Sequence, residues 1–149
     1  MVNILQRIGR TVAKGGLAVS VWMYRRTGGR FGGSIGGTPV LLLTTTGRRT
    51  GAQRTRPVGF LPHEGGYVVC GSNAGSDSPP AWSLNLRAHP GATVEVKGTT
   101  LTVKASEVTG EEYEPLWREF TTAYPRFAGY QGKTRRHLPL FVLQPSGAP

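Results

Sequence analysis

The sequence predicts a mainly β chain with flanking α-helices, closed into a small, split or partly open β-barrel. Three observations carry that expectation. Glycine is abundant, at 22 of 149 residues, and hydrophobic residues make up 38%, which suits a turn-rich sheet protein better than a helical bundle. Short apolar or alternating runs recur between Gly, Pro, Asn and Asp turn signals. Their order is helix, three strands, short helix, two strands, helix and final strand, which favours antiparallel pairing with helices packed at the sides of the barrel. One domain, residues 1–149, accounts for a chain of this length.

Residues 3–26, most of the opening stretch 1–27, read as an amphipathic helix. Ile4, Leu5, Ile8, Val12, Val19, Trp22 and Met23 share an arc of roughly 100°, with Arg7, Arg10, Lys14 and Arg25 behind them. Two roles are open to it, a helix laid across the barrel or an interfacial helix touching anionic lipid. Gly15 and Gly16 weaken its centre and favour the first. The apolar run Gly16–Tyr24 falls well short of a membrane span of ~20 residues, and no cleavage-site pattern suggests a signal peptide. The glycine-rich stretch Gly28–Gly37 follows. It reads either as a flexible linker or as a wrap over a ligand, anchored by Phe31 and Ile35.

The stretch VLLLTTTGRRTGAQRTR, Val40–Arg56, organises the rest. An apolar and then β-branched run forms one strand, Gly47–Gly51 the turn, and Gln53 onward the return strand, with Pro57 placed at an edge or strand end. Arg48, Arg49, Arg54 and Arg56 crowd this hairpin with no acid nearby in sequence. Guanidinium groups held close repel one another, so an anion is the partner the pattern asks for. A solvated surface turn is the plainer alternative.

Val58–Leu61 continues the strand, and His63-Glu64-Gly65-Gly66 turns into a third, Tyr67–Ser72. Ser72 and Asn73 sit at its end, where ligand-contacting groups often lie. Cys70 reads as a small buried residue. Asp77 or Ser78 is expected to cap a short helix, PPAWSLNLRAHP, on which Trp82 and Asn85 share a face. That pair suits either core packing or a planar wall with a polar hook for an aromatic ligand. Thr93–Val96 and Leu101–Ser106 form a hairpin around Lys97–Thr100. Thr109–Glu112 predicts a capping box, and Tyr113, Leu116, Trp117 and Phe120 make the core stripe of the helix behind it. Tyr124, Phe127 and Tyr130 recur every three residues, and Leu138–Leu143 closes the domain.

Charge narrows the function. The net charge is +10, and residues 1–63 hold ten Lys and Arg and no acid, whereas eight of each follow from Glu64 onward. The excess therefore lies wholly in the N-terminal part and calls for an anionic partner there. Nucleic acid, anionic lipid and a phosphorylated or carboxylated small molecule all satisfy it. No RNP, zinc-finger or helix-turn-helix pattern is present, which ranks nucleic acid last and gives an expectation of none bound. One cysteine excludes an internal disulfide, and His63, His89 and His137 lack metal-ligand spacing, so no metal is expected. A reducing cytoplasm is the expected compartment, with contact at the inner face of the cell membrane through residues 3–26 as a further possibility. There is no repeat and no Walker or dinucleotide glycine fingerprint.

Taken together, LLLTTTGRRTGAQRTRP, YVVCGSNAG, PPAWSLNLRAHP and YPRFAGYQ resemble, in this order and spacing, the deazaflavin-dependent nitroreductase family. WMYRRTGGRFGG upstream is also similar, so the resemblance covers roughly residues 22–145. It implies a split barrel akin to the flavin-binding split barrels, binding reduced coenzyme F420 (F420H2) and passing a hydride to a quinone or nitroaromatic acceptor. Arg48, Arg49, Thr50, Arg54, Thr55 and Arg56 match the segment that holds the cofactor's phosphodiester and polyglutamate tail, with Pro57, Val58 and Gly59 continuing that lining. Cys70, Gly71, Ser72 and Asn73 match the strand end beside the deazaflavin, and Ala81, Trp82, Ser83, Leu84 and Asn85 the helix along the ring. Phe127 completes the cofactor-site set. Ser72 is the first candidate for a catalytic oxyanion donor, with Tyr124 and Tyr130 as the second; packing of a C-terminal lid is the other reading of the tyrosines. Asn73, Phe127 and Gly59 stand where some relatives have lysine, tyrosine and an aromatic residue, departures that weigh against nitro compounds and leave cofactor binding intact. An FMN enzyme on a similar barrel is the alternative, and it would need fewer cations along its cofactor.

Overall fold

The computed structural model describes residues 17–30 and 33–146. Helix α1 occupies residues 17–27. It is followed by β1 (Ser34–Ile35), β2 (Thr38–Thr46), β3 (Gln53–His63), β4 (Gly66–Cys70), α2 (Ala81–Ala88), β5 (Gly91–Val96), β6 (Thr99–Glu107), α3 (Tyr113–Ala123), α4 (Arg126–Gln131) and β7 (Leu140–Pro145). The sheet runs β1-β2-β3-β4-β7-β6-β5, and β5 pairs back to β2, closing a six-stranded antiparallel barrel with β1 as an outlying flap.

Strand patterning explains the layers. Val40–Leu43 is an unbroken apolar run because both of its faces are buried. Leu41 and Leu43 point into the barrel with Val58, Phe60, Val69, Val94, Val103, Phe141 and Leu143, and Trp82 and Leu86 of α2 plug one end. Val40 and Leu42 face outward under Tyr24 and Val21 of α1. On the opposite wall, Val68, Cys70, Leu138 and Leu140 meet Tyr113, Leu116, Phe120 and Phe127 of α3 and α4.

Several local expectations change. The hairpin turns are tighter than the sequence suggests: Glu64-Gly65 (φ 47° and 77°) and Lys97-Gly98 (φ 49° and 81°) are two-residue left-handed turns, so Thr99 and Thr100 belong to β6. The third strand stops at Cys70 rather than Ser72, and the last strand starts at Leu140. Neither helix cap forms. Thr109 makes no side-chain bond, and a 3-10 turn, Gly110–Glu112, precedes α3. Helix α2 starts after Pro80, while Asp77 instead accepts a bond from Thr134 Oγ1.

The N-terminal helix also differs. Ile4, Leu5, Ile8, Val12 and their basic companions lie outside the described residues, as does Phe31. Within α1 the barrel-facing residues are Val21 and Tyr24, whereas Val19 and Trp22, placed on the buried arc by the periodicity, are 56% and 62% exposed. The anchor is polar as well as apolar. The Tyr24 hydroxyl lies 3.0 Å from the carbonyls of both Val40 and Glu95, and Arg25 forks onto the Glu95 carboxylate at 2.9 and 3.0 Å. That combination sets the helix's rotation, which periodicity alone misses. No helix among the described residues is long and apolar enough to cross a membrane.

Candidate functional site

The barrel's register creates an opening. Strand β3 pairs with β2 from Gln53 to Gly59 but with β4 only from Phe60 to His63. Along Pro57–Gly59 its outer edge is therefore free, and a proline, which has no N–H to donate, costs nothing there. The end of β4, the loop after it and the N-terminus of α2 face this gap. Two concavities occupy it and share Pro57, Asn73, Pro80 and Trp82.

The first, about 570 Å³, is the cationic end. It is lined by Arg48, Arg49, Thr50, Arg54 and Arg56 on one side and by Pro79, Ala81 and Asn85 on the other. Alternation along β3 puts Arg54 and Arg56 on the face that carries Val58 and Phe60 into the barrel, so beyond the barrel's end they project at the groove. None of the four arginines has a carboxylate partner among the described residues, where the arginine ion pairs are Arg25–Glu95 and Arg87–Glu107. The turn is built by Gly51 (φ 72°), whose N–H donates to the Gly47 carbonyl, and Gly47 N–H donates to Ala52. Asn85, 3% exposed, fixes the turn to α2. Its Oδ1 accepts from Arg48 N–H at 3.1 Å and its Nδ2 donates to Thr45 Oγ1 at 3.1 Å.

The second concavity, about 370 Å³, is the flatter end. Val58, Gly59, Cys70, Ser72 and Ala74 join the shared residues, with Ile35, Arg126, Phe127 and Tyr130 on the far rim. The Ser72 hydroxyl and the Tyr130 hydroxyl make no hydrogen bond among the described residues, so both remain available as donors. The Tyr124 hydroxyl is committed: it donates to the Phe60 carbonyl at 2.7 Å while its ring packs on Phe120, and it stands behind the cavity wall. Of the two tyrosines picked from the sequence, only Tyr130 borders the cavity. Burial pushes the Cys70 thiol up to about 12, so it is a packing residue of the wall and no nucleophile.

Other residues picked from the sequence sit one layer back. Thr55 bonds Thr44 across β2 and β3 at 2.8 Å. It lines a different and larger hollow, about 870 Å³, between α1 and the β3 arginines. That hollow shares only Arg54 and Arg56 with the groove; the rest of its lining is Thr55 and the α1 face carrying Leu17, Ala18, Val21, Trp22, Arg25 and Arg26. Gly71 donates its N–H to the Pro139 carbonyl, and a side chain there would strike the Pro139 ring. Ser83 is fully buried and bonds the Pro80 carbonyl at 2.7 Å. Leu84 is half-buried on α2, outside both linings. Ile35, one of the two anchors suggested for a wrap over a ligand, borders the cavity; sequence reasoning missed Arg126, whose Nη2 reaches the Ile35 carbonyl at 2.7 Å, and Arg136. The partners of both arginines are remote in sequence, so no local pattern announces them.

Residues 17–145 match the family described as F420H(2)-dependent quinone reductase. The chain belongs to this family. An F420H(2)-dependent quinone reductase of Mycobacterium tuberculosis is 34% identical over 125 residues, covering 81% of this chain and 84% of that one. The solved structure of an F420-H2 dependent reductase superposes with a TM-score of 0.65 at 36% identity, covering 71% of this chain and 94% of that chain. The haem storage protein HutZ of Vibrio cholerae, at 19% identity and a TM-score of 0.55 over 73% of this chain and 82% of its own, shares the fold alone. The resemblance to the deazaflavin-dependent nitroreductases implied a quinone or nitroaromatic acceptor, and the family found is described by the quinone. The split barrel with flanking helices, inferred from strand order, is the fold these relatives share.

Proposed function

We propose that this family member binds F420H2 along the groove and passes its hydride to a quinone. The observation that carries the reading is the set of four arginines, unpaired with any carboxylate among the described residues, leading into the split of the barrel. Arg48, Arg49, Arg54 and Arg56, with Thr50, would hold an anionic tail by charge-assisted bonds. Pro57, Val58, Gly59, Ser72, Asn73 and Trp82 would line the flat ring, and Ala81 and Asn85 the join between ring and tail. Gly71, Ser83, Leu84 and Thr55 support that lining from behind. When bound, F420H2 supplies the hydride; the protein has to stack the acceptor, exclude water and stabilise the oxygen on which negative charge appears. Ser72 and Tyr130 supply free hydroxyl donors for that oxygen, which then takes a proton from solvent to give the hydroquinone. Tyr124 acts by packing. A titration with F420, reduced and oxidised, against FMN tests the reading. F420 should bind much more tightly than FMN, and comparable affinities would favour the FMN enzyme.

The acceptor follows from the far rim. Phe127 is 7% exposed and packs edge-on against Phe120 and Tyr130, offering apolar area and no hydroxyl. A quinone needs an apolar slot and an oxyanion donor. A nitroimidazole that requires a hydrogen bond at Phe127 forfeits about 1–3 kcal/mol, worth roughly fivefold to over a hundredfold in rate. Menadione should therefore be reduced faster than a bicyclic nitroimidazole, and Phe127→Tyr should raise the nitroimidazole rate. A wild type that prefers the nitro compound contradicts this.

Helix α1 supports one further role. Exposed Trp22 beside Arg25 and Arg26 suits the boundary of an anionic membrane, the phase in which apolar quinones dissolve. Sedimentation with phosphatidylglycerol vesicles should carry the protein down. Trp22→Ala should weaken that binding severalfold, whereas no binding at low salt removes the membrane from the account.

A further inference from the structure

We propose that Arg136 is a positioning residue that arms a backbone oxyanion site made by the N–H groups of Ser72, Asn73 and Ala74. The proposal rests on the reading that hydride transfer occurs in the flat end of the groove. Ser72 has right-handed backbone angles (φ −78°, ψ −37°), and Asn73 and Ala74 are left-handed (φ 45° and 54°). A right-handed residue followed by a left-handed one turns successive N–H groups toward a common concavity, which attracts anions. None of these three N–H groups has a hydrogen-bond partner among the described residues, and all three residues line the cavity.

Arg136 grips this turn from behind. Its Nη1 donates to the Gly71 carbonyl at 3.0 Å, its Nη2 to the Ser72 carbonyl at 2.8 Å and its Nε to the Ser76 carbonyl at 2.8 Å. The fork does two things. It holds two non-glycine residues in a left-handed conformation that the chain otherwise disfavours, helped by Asn73 Nδ2 on the Ser78 carbonyl at 3.0 Å. It also polarises two peptide units: the Gly71 carbonyl shares its amide with Ser72 N–H, and the Ser72 carbonyl shares its amide with Asn73 N–H. A cation on the carbonyl makes the N–H of the same amide a stronger donor. The occupant is a planar carbonyl oxygen that gathers negative charge, belonging either to the acceptor or to the cofactor's ring.

The probe is 2-hydroxy-1,4-naphthoquinone, a planar quinone that ionises in mildly acidic solution, with binding followed by absorbance across its ionisation. The wild type should bind the ionised form at least about tenfold more tightly than the neutral one. Arg136→Gln should abolish that preference and Arg136→Lys should reduce it. In both variants kcat for menadione should drop about tenfold or more while KM stays within about threefold, the pattern of an interaction strongest in the transition state. Ser72→Pro supplies a second line should Arg136→Gln fail to fold. The Ser72 φ of −78° fits a proline ring, so one N–H is lost with Arg136 intact; because the hydroxyl goes too, the variant is read against Ser72→Ala, below which the preference should fall. A preference arising from the groove's general positive charge would survive Ser72→Pro. Displacement of the probe by oxidised F420 assigns the oxygen to the cofactor, and retention assigns it to the acceptor; either supports the site. No preference in the wild type, or a preference that persists in both Arg136→Gln and Ser72→Pro, overturns the proposal. Failure of F420 to bind would instead remove the reading on which it rests.

Discussion

Replacing Arg48 and Arg54 together with alanine is expected to weaken F420 binding by about 2–5 kcal/mol, a loss of roughly thirtyfold to several thousandfold. The two side chains reach the groove from opposite strands of the hairpin, Arg48 from the turn after β2 and Arg54 from β3. Both are exposed, and an exposed pair in water is worth only about 0–1 kcal/mol. What raises the figure is multiplicity. An anionic tail laid along Arg48, Arg49, Arg54 and Arg56 meets several pre-gathered cations whose mutual repulsion it relieves, and guanidinium forks match phosphate and carboxylate bidentately. Salt provides the second reading. Wild-type affinity should fall steeply between low and physiological ionic strength, and the double variant should show a shallower slope. Arg118→Ala, on α3 outside the groove, removes one charge and should leave Kd unchanged. Equal affinity in wild type and double variant would return the hairpin to an ordinary solvated turn.

The hairpin was legible because every feature that makes it is local. Apolar and β-branched runs, two bracketing glycines and a proline at a free edge lie within twenty residues of one another, and each constrains the backbone directly. The barrel was legible for the same reason, since strand order and short turns leave few antiparallel arrangements. Rotation of α1 was not. Its wheel contains enough apolar residues to offer more than one buried face, and the face used is set by where the Tyr24 hydroxyl finds the carbonyls of Val40 and Glu95, the latter 71 residues away. The caps failed for a related reason. Thr109 and Asp77 have the right spacing, yet a 3-10 turn precedes one helix and Pro80 opens the other, leaving Asp77 to Thr134. Which of two similar tyrosines faces the cavity was equally hidden, because a single carbonyl, that of Phe60, decides it.

Asn85→Ala should damage the site without removing a charge. Asn85 ties α2 to both the β2 strand and the arginine turn, through Thr45 Oγ1 and Arg48 N–H. The two lost bonds are unequal. Arg48 is exposed and its N–H can turn to water, whereas Thr45 is fully buried and keeps an unsatisfied hydroxyl. The cost to folding should therefore come mainly from Thr45, about 1–3 kcal/mol, plus a small cavity term. It should appear as a shift in the urea midpoint with little change in m. Affinity for F420 should drop about tenfold, because the arginine turn is no longer held against α2 and must be ordered by the ligand itself. Since all four arginines remain, the salt dependence of binding should keep its wild-type slope, the opposite of the result expected for Arg48→Ala with Arg54→Ala. Asn85→Asp separates the hydrogen bonds from the shape. An aspartate can accept from Arg48 N–H, and the Thr45 hydroxyl can rotate to donate to it, so stability should recover relative to Asn85→Ala. Its added negative charge beside the groove should still weaken binding of an anionic tail. A variant Asn85→Ala that folds as stably as wild type, or that loses affinity together with its salt slope, would show that Asn85 does not hold the arginine turn in place.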